Sequence, residues 1–514
     1  METPLRTTRQ DAGFSFDALP TEIINHICCF LCLHCQIDIV VDATSAVVVP
    51  AFQDQLVLAR LSQCSKRLRG IAQPVLFHWY HGLEKEDYHI QFNRLAAFVR
   101  ATIQAPRLAK SVRALAFYKY GDNAGLTISP TGVNRQDPGG LFQAAAAKLG
   151  GYLQDKWTRF IPTIDSLQEL AMATLLSITQ LCLQRTFVET PEKNWVHWSY
   201  DMSSLTYLAF VGNRHGLWCE TTYHIQEAKA LLRHAPNLRT LVAAECTGGQ
   251  TSILQKFRRT PWDIALLSLR KLSIDGYLDN PAIIVRSCPS LEDLEILHDY
   301  DPFQRPINEE RDLNHLRGTL RRLCCSATAH KGLGAAGRSG ESARNEILRL
   351  VEFCHPAGEN ALKPSFVAFA VLEELEMDQS LLYGAVFSAG LDWDHPEAED
   401  RSLRVTTPED LLSRLPPSLQ RLRVGCIICW PVLYRDLLAL AHQRESQFPV
   451  LETVVIEVFV APPEEEHQNL VDTLRSVAGV TVSICYVARS LVSRGLLSLG
   501  PGHAPVVPKP VVYS

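Results

Sequence analysis

The sequence predicts an α/β fold in which a short N-terminal helical module leads into a curved solenoid, a parallel sheet with helices on its outer side. Three observations carry that expectation. Two short amphipathic helical patterns precede residue 80, a leucine phrase recurs from residue 204 to residue 456, and helix-like segments fill some of the intervals between its copies.

The first helix opens at Leu19-Pro20-Thr21-Glu22-Ile23-Ile24. Proline suits a first helical turn, where its missing N–H would have no intrahelical partner, and Glu22 stands near the positive end of the helix dipole. Ile23, Ile24, Ile27 and Leu31 then share a face. A second helix is written by Leu58, Leu61, Cys64, Leu68 and Ile71 at spacings of three and four, with Lys66, Arg67 and Arg69 mostly turned away as a solvated face. Pro74 is expected to end it. Helices this short need a third element over their apolar stripes, and Phe77, Trp79 and Tyr80 are the expected lid.

Further along, one phrase returns: a small or turn residue, leucine, two variable residues, leucine, one residue and another apolar residue. It reads Ser204-Leu205-Thr206-Tyr207-Leu208-Ala209-Phe210, then Asn237-Leu238-Arg239-Thr240-Leu241, Ser268-Leu269-Arg270-Lys271-Leu272 and Ser290-Leu291-Glu292-Asp293-Leu294. It continues at Thr319-Leu320, Val371-Leu372, Ser418-Leu419 and Val450-Leu451, with weaker copies at Ser111-Val112 and Ser166-Leu167. Each phrase suits a short strand whose alternate side chains point inward, while segments such as 228–233 and 283–286 suit returning helices. No single repeat can bury its apolar face, so the repeats must stack, and strands repeated in the same order lie parallel. Uneven spacing requires insertions, expected near 121–140, 298–311, 329–341 and 391–401, where polar, Gly and Pro residues gather.

Composition excludes several functional classes. The 514 residues carry 50 Lys and Arg against 55 Asp and Glu, a formal charge of −5, so no basic excess points to nucleic acid or to an anionic membrane. Residues 23–49 are broken by Asp38 and Asp42, so no membrane span is expected, and the first residues lack the apolar core of a secretory signal. Fifteen cysteines in apolar settings fit reduced thiols in the cytoplasm or nucleus.

Motifs with chemistry were weighed against packing. Cys28, Cys29, Cys32 and Cys35 with His26 and His34 hold zinc-type ligands, but no second ligand pair stands at zinc-finger spacing and cysteine at apolar helical positions is ordinary core, so no metal is expected. Cys426-Ile427-Ile428-Cys429 follows a repeat strand rather than opening an exposed helix, which argues against redox chemistry. Gly332-Leu333-Gly334-Ala335-Ala336-Gly337 matches the dinucleotide pattern literally, yet it lies in one repeat among many rather than in a first βαβ unit. Trp195, Trp198, Tyr200 and Trp218 are read as a recognition patch or, more readily, as filling between large repeats. No cofactor and no catalytic residue is expected.

The pattern Leu19-Pro20-x-Glu22-Ile23-Ile24-x-x-Ile27, followed by Leu58-x-x-Leu61-Ser62-x-Cys64-Ser65-Lys66-Arg67-Leu68, resembles an F-box. In particular it is similar to the F-box of fungal proteins that continue into irregular leucine-rich repeats. The resemblance implies a tail over 1–13, an F-box over 14–82 with an insertion at 28–55, a linker helix over 83–110, repeats over 111–488 and a C-terminal tail over 489–514. It further implies a non-catalytic, substrate-recognition subunit of an SCF-type ubiquitin ligase, bound to a Skp-type adaptor and through it to cullin and RING subunits, with the repeats facing a target protein. Carried over by motif position, Leu19, Pro20, Glu22, Ile23, Ile27, Leu61, Ser65 and Leu68 are the adaptor-contact candidates. The alternative is a repeat scaffold whose N-terminal helices only cap the solenoid.

Overall fold

Each leucine phrase from Ser204 onward becomes one strand. The structure, a computed structural model, describes residues 16–36, 53–82, 88–118, 140–159, 164–184, 198–211, 223–224, 228–247, 262–277, 281–298, 312–327, 365–383, 411–425, 427, 430–458, 462–476 and 479–486. The strands are β1 (Trp79–His81), β2 (Ala114–Tyr118), β3 (Gln180–Gln184), β4 (Tyr207–Val211), β5 (Tyr223–His224), β6 (Thr240–Thr247), β7 (Lys271–Tyr277), β8 (Asp293–His298), β9 (Arg322–Ala327), β10 (Glu374–Asp378), β11 (Arg421–Gly425), β12 (Thr453–Val458) and β13 (Thr481–Tyr486). Eleven of the joins run in chain order, skipping only β5, which pairs with the end of β6. Every neighbouring pair is parallel.

Parallel pairing that keeps one row in register across the sheet explains why leucine recurs; the β6–β7 register shifts only beyond that row, between Ala243 and Cys246. Leu115, Leu181, Leu208, Leu241, Leu272, Leu294, Leu323, Leu375 and Leu422 stand side by side, continued by Val454 and Val482. All are buried, and so is the first leucine of each phrase, from Leu205 and Leu238 to Leu451. Because side chains alternate across a strand, this row and the one two residues on face the helices and make the main core.

Fourteen helices are described. The N-terminal ones are α1 (Thr21–Phe30), α2 (Leu33–Gln36), α3 (Gln53–Cys64) and α4 (Lys66–Leu76), followed by α5 (Tyr88–Gln104) and α6 (Pro106–Ala109). Between strands run α7 (Leu141–Leu149), α8 (Gly151–Arg159), α9 (Ile164–Thr174), α10 (Lys229–Arg233), α11 (Pro281–Arg286), α12 (Gln379–Tyr383), α13 (Trp430–Gln447) and α14 (Glu464–Ser476). Phe92, Leu95 and Val99 of α5, Leu167 and Leu170 of α9, Leu231 of α10, Leu437 of α13 and Leu470 of α14 all enter the main core, so the helices cover one face of the sheet. The result is a solenoid-like α/β layer. None of the described helices is long and apolar enough to cross a membrane.

Several expectations change in the structure. The single helix through Leu58 and Ile71 is two helices, because Ser65 adopts an extended backbone and its hydroxyl accepts the Leu68 N–H at 3.1 Å, capping α4. Pro74 does not end α4, which runs on to Leu76. Ser166-Leu167 is not a strand but lies in α9, where Leu167, Leu170, Ala171 and Thr174 follow helical spacing. The strand in that interval is β3, carried by Ile178, Leu181 and Leu183.

Phe77 and Tyr80 do not lie over the N-terminal helices. They pack on the main core, with ring centroids 5.7 and 4.5 Å from Phe98. The sheet therefore starts at Trp79, within the stretch assigned by resemblance to the helical module, and α5 belongs to the main core.

Trp198 and Tyr200 also fill the interior: Tyr200 donates its hydroxyl to the Gly150 carbonyl at 2.9 Å and accepts the Leu153 N–H at 3.4 Å, bracing the turn between α7 and α8. That turn needs left-handed backbone at Gly150 and Gly151, with φ of 70° and 58°. Trp195, Trp218, Cys426, Cys429, the glycine loop at 332–337, both tails and most of the expected insertions lie outside the described residues.

Candidate functional site

The N-terminal helices hold a core separate from that of the sheet. Ile24 and Cys28 of α1, then Cys32, Leu58 of α3, and Leu68, Ala72 and Val75 of α4 are its buried residues, with Phe16, Leu19, Leu31, Leu61, Ile71 and Leu76 packed around them. Arg67 ties α4 to the start of α1, donating to the Leu19 carbonyl at 2.7 Å and to the Thr21 hydroxyl at 3.2 Å. Arg69 donates to the Ser62 carbonyl at 3.1 Å. These arginines therefore brace local backbone rather than only solvating a helix face.

This packing divides the eight expected adaptor contacts. Leu68 is buried, Leu19 and Leu61 are half-buried against the module's core, and Ser65 is the helix cap, so these four hold the module together. Pro20, Glu22 and Ile23 are exposed, and Ile27 is half-buried. Helical geometry accounts for the split: Ile24, Cys28 and Leu31 recur at four and three on the inner side, whereas Ile23, Ile27 and Phe30 recur at four and three one position earlier. Phe30 is 71% exposed, Ile23 48% and Leu56 51%, with Val57 also exposed on α3.

Sequence reasoning had not included Phe30, Leu56 or Val57. Phe30 follows Ile23 by seven residues, which is a readable signal. Leu56 and Val57 become distinctive only once Leu58 is known to be the buried neighbour.

A second constellation lies where the module meets the sheet. Among the described residues, Cys32, His34, Cys35 and His78 form a cluster in which one ligand atom from each lies within 4.8 Å of the others. Backbone turns after α1 position the sulfurs: the Cys32 N–H donates to the Cys29 carbonyl at 3.1 Å and the Cys35 N–H to the Cys32 carbonyl at 2.9 Å. His78 sits between α4 and β1, and its carbonyl accepts the N–H groups of Arg113 and Ala114 at 2.8 and 2.9 Å, where β2 begins. Of the other expected members, Cys29 stays beside the group, with its thiol hydrogen-bonded to that of Cys35, while Cys28 and His26 separate from it. Cys28 is in the module's core, and His26 is exposed.

Electrostatics in this corner follow from burial. Desolvation, with His34 and Arg113 nearby, lowers the His78 pKa to about 4. Burial, reinforced by Cys32, pushes the Cys35 thiol up to about 11, and burial also raises Cys28, Cys29 and Cys32.

The face of the sheet turned away from the helices changes along its length. Ala116, Cys182, Ala209 and Val242 stand in register across β2, β3, β4 and β6 and form a small buried apolar cluster with Ala244. From β7 onward the same face becomes ionic. Lys271 pairs with Asp293 at 3.1 Å, Arg322 bridges Asp293 at 3.0 Å and Glu374 at 3.6 Å, Arg421 reaches Glu374 at 3.3 Å, and Arg423 joins Glu376 and Glu457. The more exposed of these pairs, such as Arg421 with Glu374, contribute about 0 to 1 kcal/mol each, so they serve strand register more than stability, while Arg423 with the buried Glu457 is shielded from solvent. Neither a family model nor a curated protein matches the sequence.

Proposed function

We propose that the chain is the substrate-recognition subunit of an SCF-type ubiquitin ligase. Its N-terminal helices would be an F-box docked on a Skp-type adaptor, and its leucine-rich repeats would hold a target protein. The observation that supports this best is the two-sided character of α1. One side closes a core belonging to the module alone, and the other leaves Ile23 and Phe30 exposed, with Ile27 half-buried between them. A helix that merely capped the sheet would have most of its apolar residues consumed in the main core, as Phe92, Leu95 and Val99 of α5 are, although Ile90 of that helix is exposed.

On this reading the chain contributes position rather than bond chemistry. Burying a large aliphatic or aromatic side chain contributes about 1.5 to 3 kcal/mol, so Ile23, Phe30, Leu56 and Val57 together can supply the apolar part of a stable interface. Parallel strands joined in one sheet would make an arm that keeps a bound target at a set distance from the adaptor and hence from the conjugating enzyme that the cullin and RING subunits recruit. Target recognition would fall to side chains scattered along the repeats.

The test is co-purification of the full chain with a Skp-type adaptor, comparing wild type, Leu19→Ala with Pro20→Ala, and Ile23→Asp. Ile23→Asp separates docking from folding because its side chain is half exposed. For Ile23→Asp, loss of the adaptor with unchanged thermal unfolding is expected, whereas the Leu19 and Pro20 changes should lower stability as well because Leu19 packs on the module's core. A wild-type chain that fails to bind any adaptor, while the Leu19 and Pro20 changes destabilise it, would replace the proposal with the scaffold reading.

A further inference from the structure

We infer that Cys32, His34, Cys35 and His78 form a structural zinc site that fastens the N-terminal helical module to the first strands of the sheet. The ligand set is two sulfurs and two imidazoles, the composition of a closed tetrahedral zinc centre with no position left for water or substrate. Bonds of about 2.3 Å to sulfur and about 2.05 Å to nitrogen at tetrahedral angles require ligand atoms about 3.3 to 3.8 Å apart. Observed separations are 3.3 Å from Cys35 Sγ to His78 Nδ1, and 3.9 Å both from Cys32 Sγ to His78 Nδ1 and from Cys35 Sγ to His34 Nδ1. All four ligand atoms lie within 4.8 Å of one another, so closing the shell takes an inward shift of about 1 Å or less.

Without metal the thiols of Cys32 and Cys35 can hydrogen-bond with each other, and only one of them can use the His78 nitrogen well. Two sulfurs converge on one imidazole nitrogen, which has a single lone pair when unprotonated and so accepts one S–H well. A cation shared by both sulfurs and the nitrogen satisfies all three. Cys32 is buried and Cys35 exposed, so the site has a closed floor and an open side through which an ion can enter.

The consequence for the fold is local. Three ligands follow α1, and the fourth immediately precedes β1, where its own carbonyl starts the pairing with β2. Metal at this place would fix the angle between the docking helices and the sheet, independently of what either surface binds.

The experiment is metal analysis of the full-length chain purified under reducing conditions, with cobalt exchanged for zinc, in wild type, Cys35→Ser, His78→Asn and the control Cys64→Ser, an exposed cysteine outside the cluster. About one equivalent of zinc and a tetrahedral thiolate–cobalt spectrum are expected in wild type and control, with affinity lowered about tenfold or more in the two cluster variants. Should those variants fail to fold, alkylation of the wild-type chain decides: Cys35 should react far more slowly than Cys64 until a chelator is added. Absence of bound zinc and of the cobalt spectrum in wild type, retention of metal by both cluster variants, a Cys32–Cys35 disulfide in the reduced preparation, or equal alkylation of Cys35 and Cys64 in the zinc-supplemented chain would each overturn the inference.

Discussion

Leu294→Ala probes the stacked row that makes the sheet a single core. Leu294 is fully buried, and its register neighbours Leu272 on β7 and Leu323 on β9 are buried as completely. The change removes three carbon atoms, a transfer loss of about 2.4 kcal/mol at about 0.8 kcal/mol for each. A cavity term adds to it, because both flanking positions are held in their own ladders and cannot collapse inward, giving about 3 to 4 kcal/mol in total. Leu267→Ala is the control: its side chain is 64% exposed, so the expected change is within about 0.5 kcal/mol. Urea unfolding of the full chain, followed by circular dichroism, should show a lowered midpoint at unchanged slope for Leu294→Ala alone. Equal midpoints for the two variants would refute the continuous leucine row.

Other expectations follow from single contacts. A Cβ at Gly425 would stand 2.8 Å from Asp378 Oδ1 and 3.2 Å from Glu457 Oε2, and Asp378 is buried, so Gly425→Ala should cost about 1 to 3 kcal/mol, whereas Gly70→Ala on α4, with open space, should be neutral or stabilising in the same unfolding assay. His81 is buried in β1, and burial with Arg94 nearby lowers its pKa to about 4 from an ordinary 6.5. The unfolded chain therefore binds a proton that the folded chain refuses, so its stabilisation is complete above pH 6.5 and is lost as pH falls towards 4, on the order of 3 kcal/mol over the full range. His81→Gln should flatten that part of the pH dependence of the urea midpoint, and identical slopes for variant and wild type would contradict the assignment. Ile23→Asp should change the unfolding midpoint by less than about 0.5 kcal/mol, because the position is half exposed; a larger loss in urea unfolding would assign Ile23 to the module's core instead.

Periodicity made the sheet legible because parallel strands in register turn one spacing rule into one buried row. The same rule misread Ser166-Leu167, since Leu167 and Leu170 satisfy leucine spacing and helical spacing alike, and only their neighbours Ala171 and Thr174 tip the segment into α9. Strand β1 was hidden by its brevity: Trp79–His81 has three residues, too few to show alternation. The break at Ser65 depended on cap chemistry rather than on the apolar pattern, which continues smoothly from Leu58 to Ile71. In the module, sequence identified α1 but not which isoleucines face inward, because Ile23 and Ile24 are chemically alike and differ only in angle about the helix. The sulfur-rich corner was visible in Cys32 and Cys35. Its fourth member, His78, is 43 residues from Cys35, and only the return of the chain through α3 and α4 brings it there.

The most direct test is calorimetric titration of the purified full chain with a purified Skp-type adaptor. Saturable binding at equal stoichiometry is expected, with the negative heat-capacity change of buried apolar surface, both abolished by Phe30→Asp together with Ile23→Asp. Absence of heat from the wild-type chain while it remains folded, or unchanged binding by the doubly substituted chain, would contradict the outward face of α1 as the adaptor contact.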